Sequence, residues 1–379
     1  MKALVDSRSS TIYGRTAMNV YEELRKVLDS HPATAPESTK IMEILSILFT
    51  PAEAALAITM SYKPWPLEKI AQAGSIPKGE AEKLLESMAD KGIIFSKNKE
   101  GKKLYGLVPL IPGVYEFPFM KAKTIASPML KRLAGLWEEY HKEALGASFS
   151  GNPTPLMRVV PVDRAIHAEN RVHPYEEVKS FISNASFIAL ADCACRISVG
   201  KCNKPKDVCL ILDGAAEFLV ERGFARQITT EEGIQVLDRA EKAGLVHTSN
   251  NSADKAGLIC NCCPCCCTVL RGKTELNQPH AFETSRFEAR VNESDCTGCG
   301  ICAEERCPVK AIEVKNDVAV VNESECIGCG LCVTGCPVDA IELIERKAVP
   351  KIPGTGAEMA VQVAQEKGRF DNFIKIMQR

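Results

Sequence analysis

The sequence predicts an α+β chain built from several domains. Three observations carry this expectation. The chain has 379 residues, more than a single core usually organises. Its first third spaces apolar residues at helical intervals and then shows two short strand-like segments. Its second half holds all 18 cysteines, eight of them in a repeated unit between residues 292 and 337.

Composition narrows the function classes. A hydrophobic fraction of 45% is ample for packed cores. A formal net charge of -1 gives no global pull toward nucleic acid or anionic lipid. Met1 to Tyr13 has no apolar core and no cleavage site, so a cytoplasmic protein is expected. Free thiols persist in such a reducing compartment, and clustered cysteines there mean metal rather than disulfides. The apolar stretch Ile41 to Met60 contains Glu43, Pro51 and Glu53, which fits a buried helix pair better than a membrane span. Arg271-Gly272-Lys273-Thr274 ends like a P-loop, but Cys267 stands where the motif needs glycine. No G-x-G-x-x-G follows a strand, so neither NAD nor a Rossmann flavin site is indicated.

Residues 1–37 read as an arm, with a helix over Met18 to Leu28 that Pro32 ends. In residues 38–110, helices are expected over Lys40 to Leu48, Thr50 to about Met60, Pro66 to Ala73 and Pro77 to Asp90. Thr50, Pro51 and Glu53 have the order of a capped helix start. Strands Ile93 to Lys97 and Lys103 to Val108 flank a turn at Asn98 to Lys102. This succession resembles a winged helix. Winged helices often bind DNA, but the third helix here carries Glu80, Glu82, Glu86 and Asp90. Phosphates repel such a face, so a protein-docking or packing module is preferred. Lys97, Lys99, Lys102 and Lys103 read as a solvated loop.

Residues 111–150 form a helical connector, with one helix from Ser127-Pro128 to Leu145 that Gly146 stops. Residues 151–289 form an α/β cysteine-rich domain. Strands are expected over Met157 to Val162 and Phe187 to Leu190, and a helix over Pro174 to Ser183. Thr229 and Glu232 make a capping box. A hairpin joins Leu245–Thr248 to Gly257–Cys260. Strand ends deliver two cysteine groups: Cys193, Cys195, Cys202 and Cys209, then Cys260, Cys262, Cys263, Cys265, Cys266 and Cys267. These ten thiols are a pool for one or two further iron–sulfur clusters. Zinc is the alternative, although ordinary zinc-ligand spacing is not followed. Cys209 precedes Leu210-Ile211-Leu212 and has the best claim to be a plain buried hydrophobe. Arg196 suits a cluster or an anionic ligand, with a surface ion pair as the commoner outcome. His167 and His173 read as structural. The cysteine pairs resemble those of heterodisulfide-reductase subunits. That family has Cys-Cys-Gly, whereas Pro264 follows Cys263 here, so its function is not carried over.

Residues 290–346 hold the repeat. Cys296, Cys299 and Cys302 stand at two-residue gaps, followed by Cys307-Pro308. Cys326, Cys329 and Cys332 repeat them, followed by Cys336-Pro337. Val-Asn-Glu-Ser-Asp-Cys at Val291 returns as Val-Asn-Glu-Ser-Glu-Cys at Val321. This run resembles a bacterial ferredoxin with two [4Fe–4S] clusters, in a βαββαβ-type dicluster fold. In that family the fourth cysteine of each run serves the other cluster. The resemblance therefore implies Cys296, Cys299, Cys302 and Cys336 for cluster one, and Cys326, Cys329, Cys332 and Cys307 for cluster two. Gly298, Gly300, Gly328 and Gly330 let the loops turn and aim N–H groups at sulfur. One departure stands out: Ala303 to Arg306 puts four residues where the family has three, and a small bulge is expected. The whole chain resembles multidomain iron–sulfur proteins of anaerobes, with about 55 residues carrying the specific match. Residues 347–379 read as a linker followed by one or two docking helices.

The expected function is electron transfer, with low-potential electrons passing through the ferredoxin clusters and a middle cluster to a redox partner. A reductase with its active site at the middle cysteines is the alternative. An iron–sulfur transcription regulator is the second. Catalytic residues and a small-molecule substrate are not readable from the sequence.

Overall fold

A computed structural model describes residues 17–122, 124–166 and 176–379. The chain falls into two compact units.

The first unit comprises the described residues up to Pro118, Ser127–Tyr140 and Arg369–Arg379. Its helices are α1 (Ala17–Asp29), α2 (Thr39–Leu48), α3 (Pro51–Ala57), α4 (Leu67–Gly74), α5 (Lys78–Lys91) and α6 (Pro128–Tyr140). A small antiparallel sheet has the order β1 (Trp65–Pro66), β3 (Lys102–Leu107), β2 (Ile94–Lys99). The expected capping box forms: the Glu53 N–H donates to Thr50 Oγ1, and the Thr50 N–H donates to Glu53 Oε2. α4 keeps Gly74 as its last residue, and Ser75 takes the left-handed turn with φ 53°. The hairpin strands run longer than expected, because Glu100 and Gly101, both at positive φ, make a tight two-residue turn. Lys103 is not simply solvated. It pairs with Glu82 at 3.4 Å and Glu86 at 3.2 Å, so the acids of α5 are spent on the unit's own sheet. Of the two tail helices expected, Phe370–Met377 belongs to this unit, where Ser61 Oγ donates to the Ile376 carbonyl at 2.8 Å.

The second unit comprises Phe119–Ala126 and His141–Gly368. Gly146 does not stop a helix there; it opens a short one, Gly146–Ser150. The middle domain is a six-stranded sheet in the order β4 (Met157–Val159), β8 (Val246–Asn250), β9 (Leu258–Cys262), β6 (Asp207–Leu212), β5 (Ile188–Asp192), β7 (Arg226–Gln227). Every strand pair is antiparallel, so the domain is α+β rather than the expected α/β. Short links such as Asn251–Gly257 favour antiparallel neighbours, since a parallel pair needs a long crossover. Between and after the strands run α7 (Val178–Asn184), α8 (Ala194–Val199), α9 (Gly214–Glu221), α10 (Thr230–Lys242) and α11 (Thr268–Thr274). One face of the sheet packs on α7 and α10, where Val178, Ile182, Val236 and Leu237 meet Leu190, Leu210 and Ile259. Thr229 caps α10, but the Glu232 carboxylate reaches Arg226 instead of closing the box. Pro174, His167 and His173 lie outside the described residues.

The C-terminal domain pairs β10 (Phe287–Val291) with β13 (Ile341–Glu345), and β11 (Ile312–Lys315) with β12 (Val318–Val321). Helical turns Cys302–Arg306 and Leu331–Thr334 fill equivalent places in the two halves. A further helix, Gly356–Glu366, follows β13. Among the described residues, no helix is long and apolar enough to cross a membrane.

Glu53 is only 2% exposed and takes hydrogen bonds from Lys91 Nζ at 2.6 Å and Ser87 Oγ at 2.7 Å. Burial alone would raise its carboxyl, but these bonds and the Thr50 N–H outweigh it and hold Glu53 below the ordinary carboxylate range. A depressed folded-state value means stability that is present above the unfolded value of about 4.3 and lost as pH falls through the folded one. Glu53→Gln is expected to cost about 2 kcal/mol locally, roughly thirtyfold faster hydrogen exchange at the α3 amides. The wild-type protein should lose that protection on acidification, after correction for intrinsic rates, whereas the variant should not.

Candidate metal centres

Two-residue gaps between cysteines fold three thiols around one loop only if the backbone turns sharply. Gly298 and Gly328 supply that turn at φ 65° and 67°. Their surroundings leave no room for a side chain: a Cβ on Gly298 would meet the Asp317 carbonyl oxygen at 2.4 Å, and one on Gly328 the Phe287 carbonyl oxygen at 2.0 Å. The fourth thiol of each set comes from the other half. Cys296, Cys299, Cys302 and Cys336 line one small cavity. Cys307, Cys326, Cys329 and Cys332 line another. Each cavity thus draws three thiols from one half and one from the other.

Backbone N–H groups point at sulfur in both halves. Ala311 N donates to Cys307 Sγ at 3.1 Å, and Ala340 N to Cys336 Sγ at 3.3 Å. Ala319 N donates to Cys296 Sγ at 3.4 Å. Burial pushes the thiols of Cys302, Cys307 and Cys332 up, and that of Cys329 up to about 12. Protonated thiols bind metal only by giving up their protons, so cluster uptake here must displace them. Four thiols around an apolar cavity, with N–H donors aimed at sulfur, suit a [4Fe–4S] cube.

The extra residue between Cys302 and Cys307 takes the form of a widened turn. Cys307 N donates to the Cys302 carbonyl at 3.0 Å, an i→i+5 bond. A single wide turn absorbs one residue without displacing its ends. Its last residue, Arg306, reaches out of the repeat. Nε donates to the Leu331 carbonyl at 2.9 Å, and Nη1 and Nη2 donate to the carbonyls of Lys242 and Glu241 at 3.3 and 3.2 Å. One side chain thus ties both halves of the repeat to α10 of the middle domain. Cys329 joins the same seam, its carbonyl accepting from Val162 N at 3.0 Å.

The ten middle cysteines do not keep their sequence grouping. Cys193 contacts Cys195 and Cys209. Cys195 contacts Cys267, which contacts Cys262. Cys262 contacts Cys260, and Cys260 contacts Cys209. These six close a ring, four of them buried and Cys195 and Cys260 partly so. Sheet register builds half of it. Cys260 and Cys262 share one face of β9 by strand alternation. Leu210 pairs with Ile259, which brings Cys209 of β6 level with Cys260. Cys193 and Cys267 stand at the starts of α8 and α11. Cys209 is therefore one of a ring of thiols, not a plain hydrophobe.

The other four gather separately. Cys202, Cys263, Cys265 and Cys266 place all four sulfurs within 4.8 Å of one another. Cys202 stands 3.8 Å from Cys263 and 3.9 Å from Cys266, and Cys265 stands 3.8 Å from Cys266. Cys262 ends β9 against the ring, and Cys263, the next residue, faces this set.

Arg196 is not on the surface. It is 1% exposed, and Nη1 donates to the Asn261 carbonyl at 2.9 Å and to Cys263 Sγ at 3.7 Å. Nε and Nη2 have no protein partner. Burial alone would depress the guanidinium, but the negative charge of Cys193, Cys209 and Cys263 outweighs it and holds the proton on. Contact with Cys266 and with Arg196 pulls the Cys263 thiol down to about 4, and contact with Cys260 and Cys267 pulls Cys262 down to about 5. The sequence contained one signal for this arrangement, the i, i+2 pair Cys260 and Cys262 on a strand. It contained none for Cys202 joining Cys263.

The family model of the 4Fe-4S dicluster domain matches residues 289–343. No curated protein matches the chain. The C-terminal part of the protein is accordingly a 4Fe-4S dicluster domain, and a second cysteine cluster lies outside it in the middle of the chain.

Proposed function

We propose that this protein carries electrons to a redox partner through iron–sulfur clusters. The observation that supports this best is the pair of four-cysteine cavities, one reaching solvent and one pressed on the middle domain. Cys296, Cys299, Cys302 and Cys336 hold cluster one. Cys326, Cys329, Cys332 and Cys307 hold cluster two. The further cluster belongs to the ring of Cys193, Cys195, Cys209, Cys260, Cys262 and Cys267. Such clusters, when bound, take up and release single electrons at low potential.

The chain sets direction and insulation. Cys299 is exposed, whereas Cys326, Cys329 and Cys332 are buried. Cluster one is thus the side open to a donor, and cluster two is the side that hands on to the middle domain. The seam at Arg306 and Cys329 fixes that hand-over. N–H···S bonds and burial tune the potentials. The N-terminal unit is winged-helix-like and serves docking rather than DNA reading, because Glu82 and Glu86 occupy its third helix. A reducing compartment suits a chain with this many free thiols.

Anaerobic titration with dithionite is expected to bleach the visible charge-transfer absorption and to deliver at least about two electrons per chain. Folded protein that is colourless, or that carries zinc alone, would end this reading. Gly328→Ala should lose cluster two, because its Cβ collides with the Phe287 carbonyl oxygen. Iron from the dicluster domain should fall from about eight to about four per chain, with cluster one retained. Unchanged iron would mean that the loop is not the ligand loop proposed.

A further inference from the structure

We infer that Cys202, Cys263, Cys265 and Cys266 form a mononuclear site: four thiolates around one thiophilic divalent ion, zinc or iron, separate from any iron–sulfur cluster. The inference does not depend on the electron-transfer reading.

The spacing carries the argument. Thiolates about 2.3 Å from a tetrahedral ion stand about 3.8 Å from one another. The measured separations are 3.8, 3.9 and 3.8 Å, and no pair of the four exceeds 4.8 Å. A cube of four irons would stand between its ligands and spread them. The same protein shows what that looks like. Each dicluster set lines a cavity, whereas these four sulfurs all lie within 4.8 Å of one another. Tetrahedral S4 coordination selects zinc or a single iron over harder cations.

Charge supplies the second observation. Four thiolates around a divalent ion leave a net charge of about −2. Cys263 and Cys266 are fully buried, and an uncompensated anion there would be costly. Arg196 meets that need, with Nη1 at 3.7 Å from Cys263 Sγ. Cys202 and Cys265 are half-buried, which leaves the ion a route in.

The test uses the full chain, prepared anaerobically and analysed for iron, zinc and acid-labile sulfide. Cys265→Ser is expected to lose about one metal ion per chain with labile sulfide unchanged. Cys209→Ser, in the ring, should lower sulfide while that ion stays. If Cys265→Ser instead removes several irons together with sulfide, the four cysteines hold a cluster and the inference fails. If it removes no metal, the site is empty of metal and the inference also fails. Should Cys265→Ser not fold, X-ray absorption on the wild-type protein decides. A metal with about four sulfur neighbours at about 2.3 Å and no metal neighbour supports the site. Iron with metal neighbours throughout, and no zinc, overturns it. The relay reading fails on a different result, namely clusters that do not reduce.

Discussion

A guanidinium buried among thiols governs the middle domain. Burying a lone cation costs several kcal/mol unless anions surround it. Among the described residues, Arg196 donates to one sulfur and one carbonyl. Its charge favours the thiolate form of Cys263, and packed thiolates repel one another unless a cation joins them. The ring and the four-thiol set both border this residue, through Cys193 and Cys209 on one side and Cys263 on the other. One cation balances two anionic centres, which explains why α8 begins between two of the ring's cysteines.

The C-terminal domain obeys a different constraint, that of close backbone approach. Gly328 lies against the Phe287 carbonyl and Ser285 Oγ, and Gly330 against the Ala165 side chain. The second of these contacts binds the ligand loop to the middle domain rather than to its own half. The internal repeat is thus symmetric in chemistry and asymmetric in surroundings. Both halves keep the N–H···S bond from the fourth residue after Cys307 or Cys336. Only the second half is sealed against a neighbouring sheet. Only the first half carries the added residue, and its widened turn sends Arg306 across the seam.

Legibility in the sequence followed the range of each contact. The dicluster cysteines come from one short unit and its copy, so the repeat was plain in the spacing, while the crossed sets came only from the family resemblance. The Thr50 cap was visible because all its parts lie within four residues. Glu232 misled because Arg226, arriving on β7, competes for its carboxylate, and no local rule sees that strand. The middle cysteines were hardest. Cys202 reaches Cys263 only after the β6–β9 pairing has brought two distant stretches together. Neighbours in the run from Cys260 to Cys267 then part company between Cys262 and Cys263 and again between Cys266 and Cys267. A list of ten thiols is readable from composition, but its division into six and four is a property of the sheet.

That division bears on how charge can move. A relay needs centres that change oxidation state by one electron with little rearrangement, and a polynuclear cluster spreads the added charge over several irons. A single zinc ion has no redox chemistry and holds its ligands in place. Pro264 sits inside the four-thiol set and lines the same cleft as Cys307 and Arg306. An inert ion there would fix the Cys263–Cys267 loop, and with it the position of Cys267 in the ring, relative to cluster two. A single iron would instead add a stepping stone between the two. The identity of that ion therefore decides whether the four-thiol set is a brace for the electron path or a part of it.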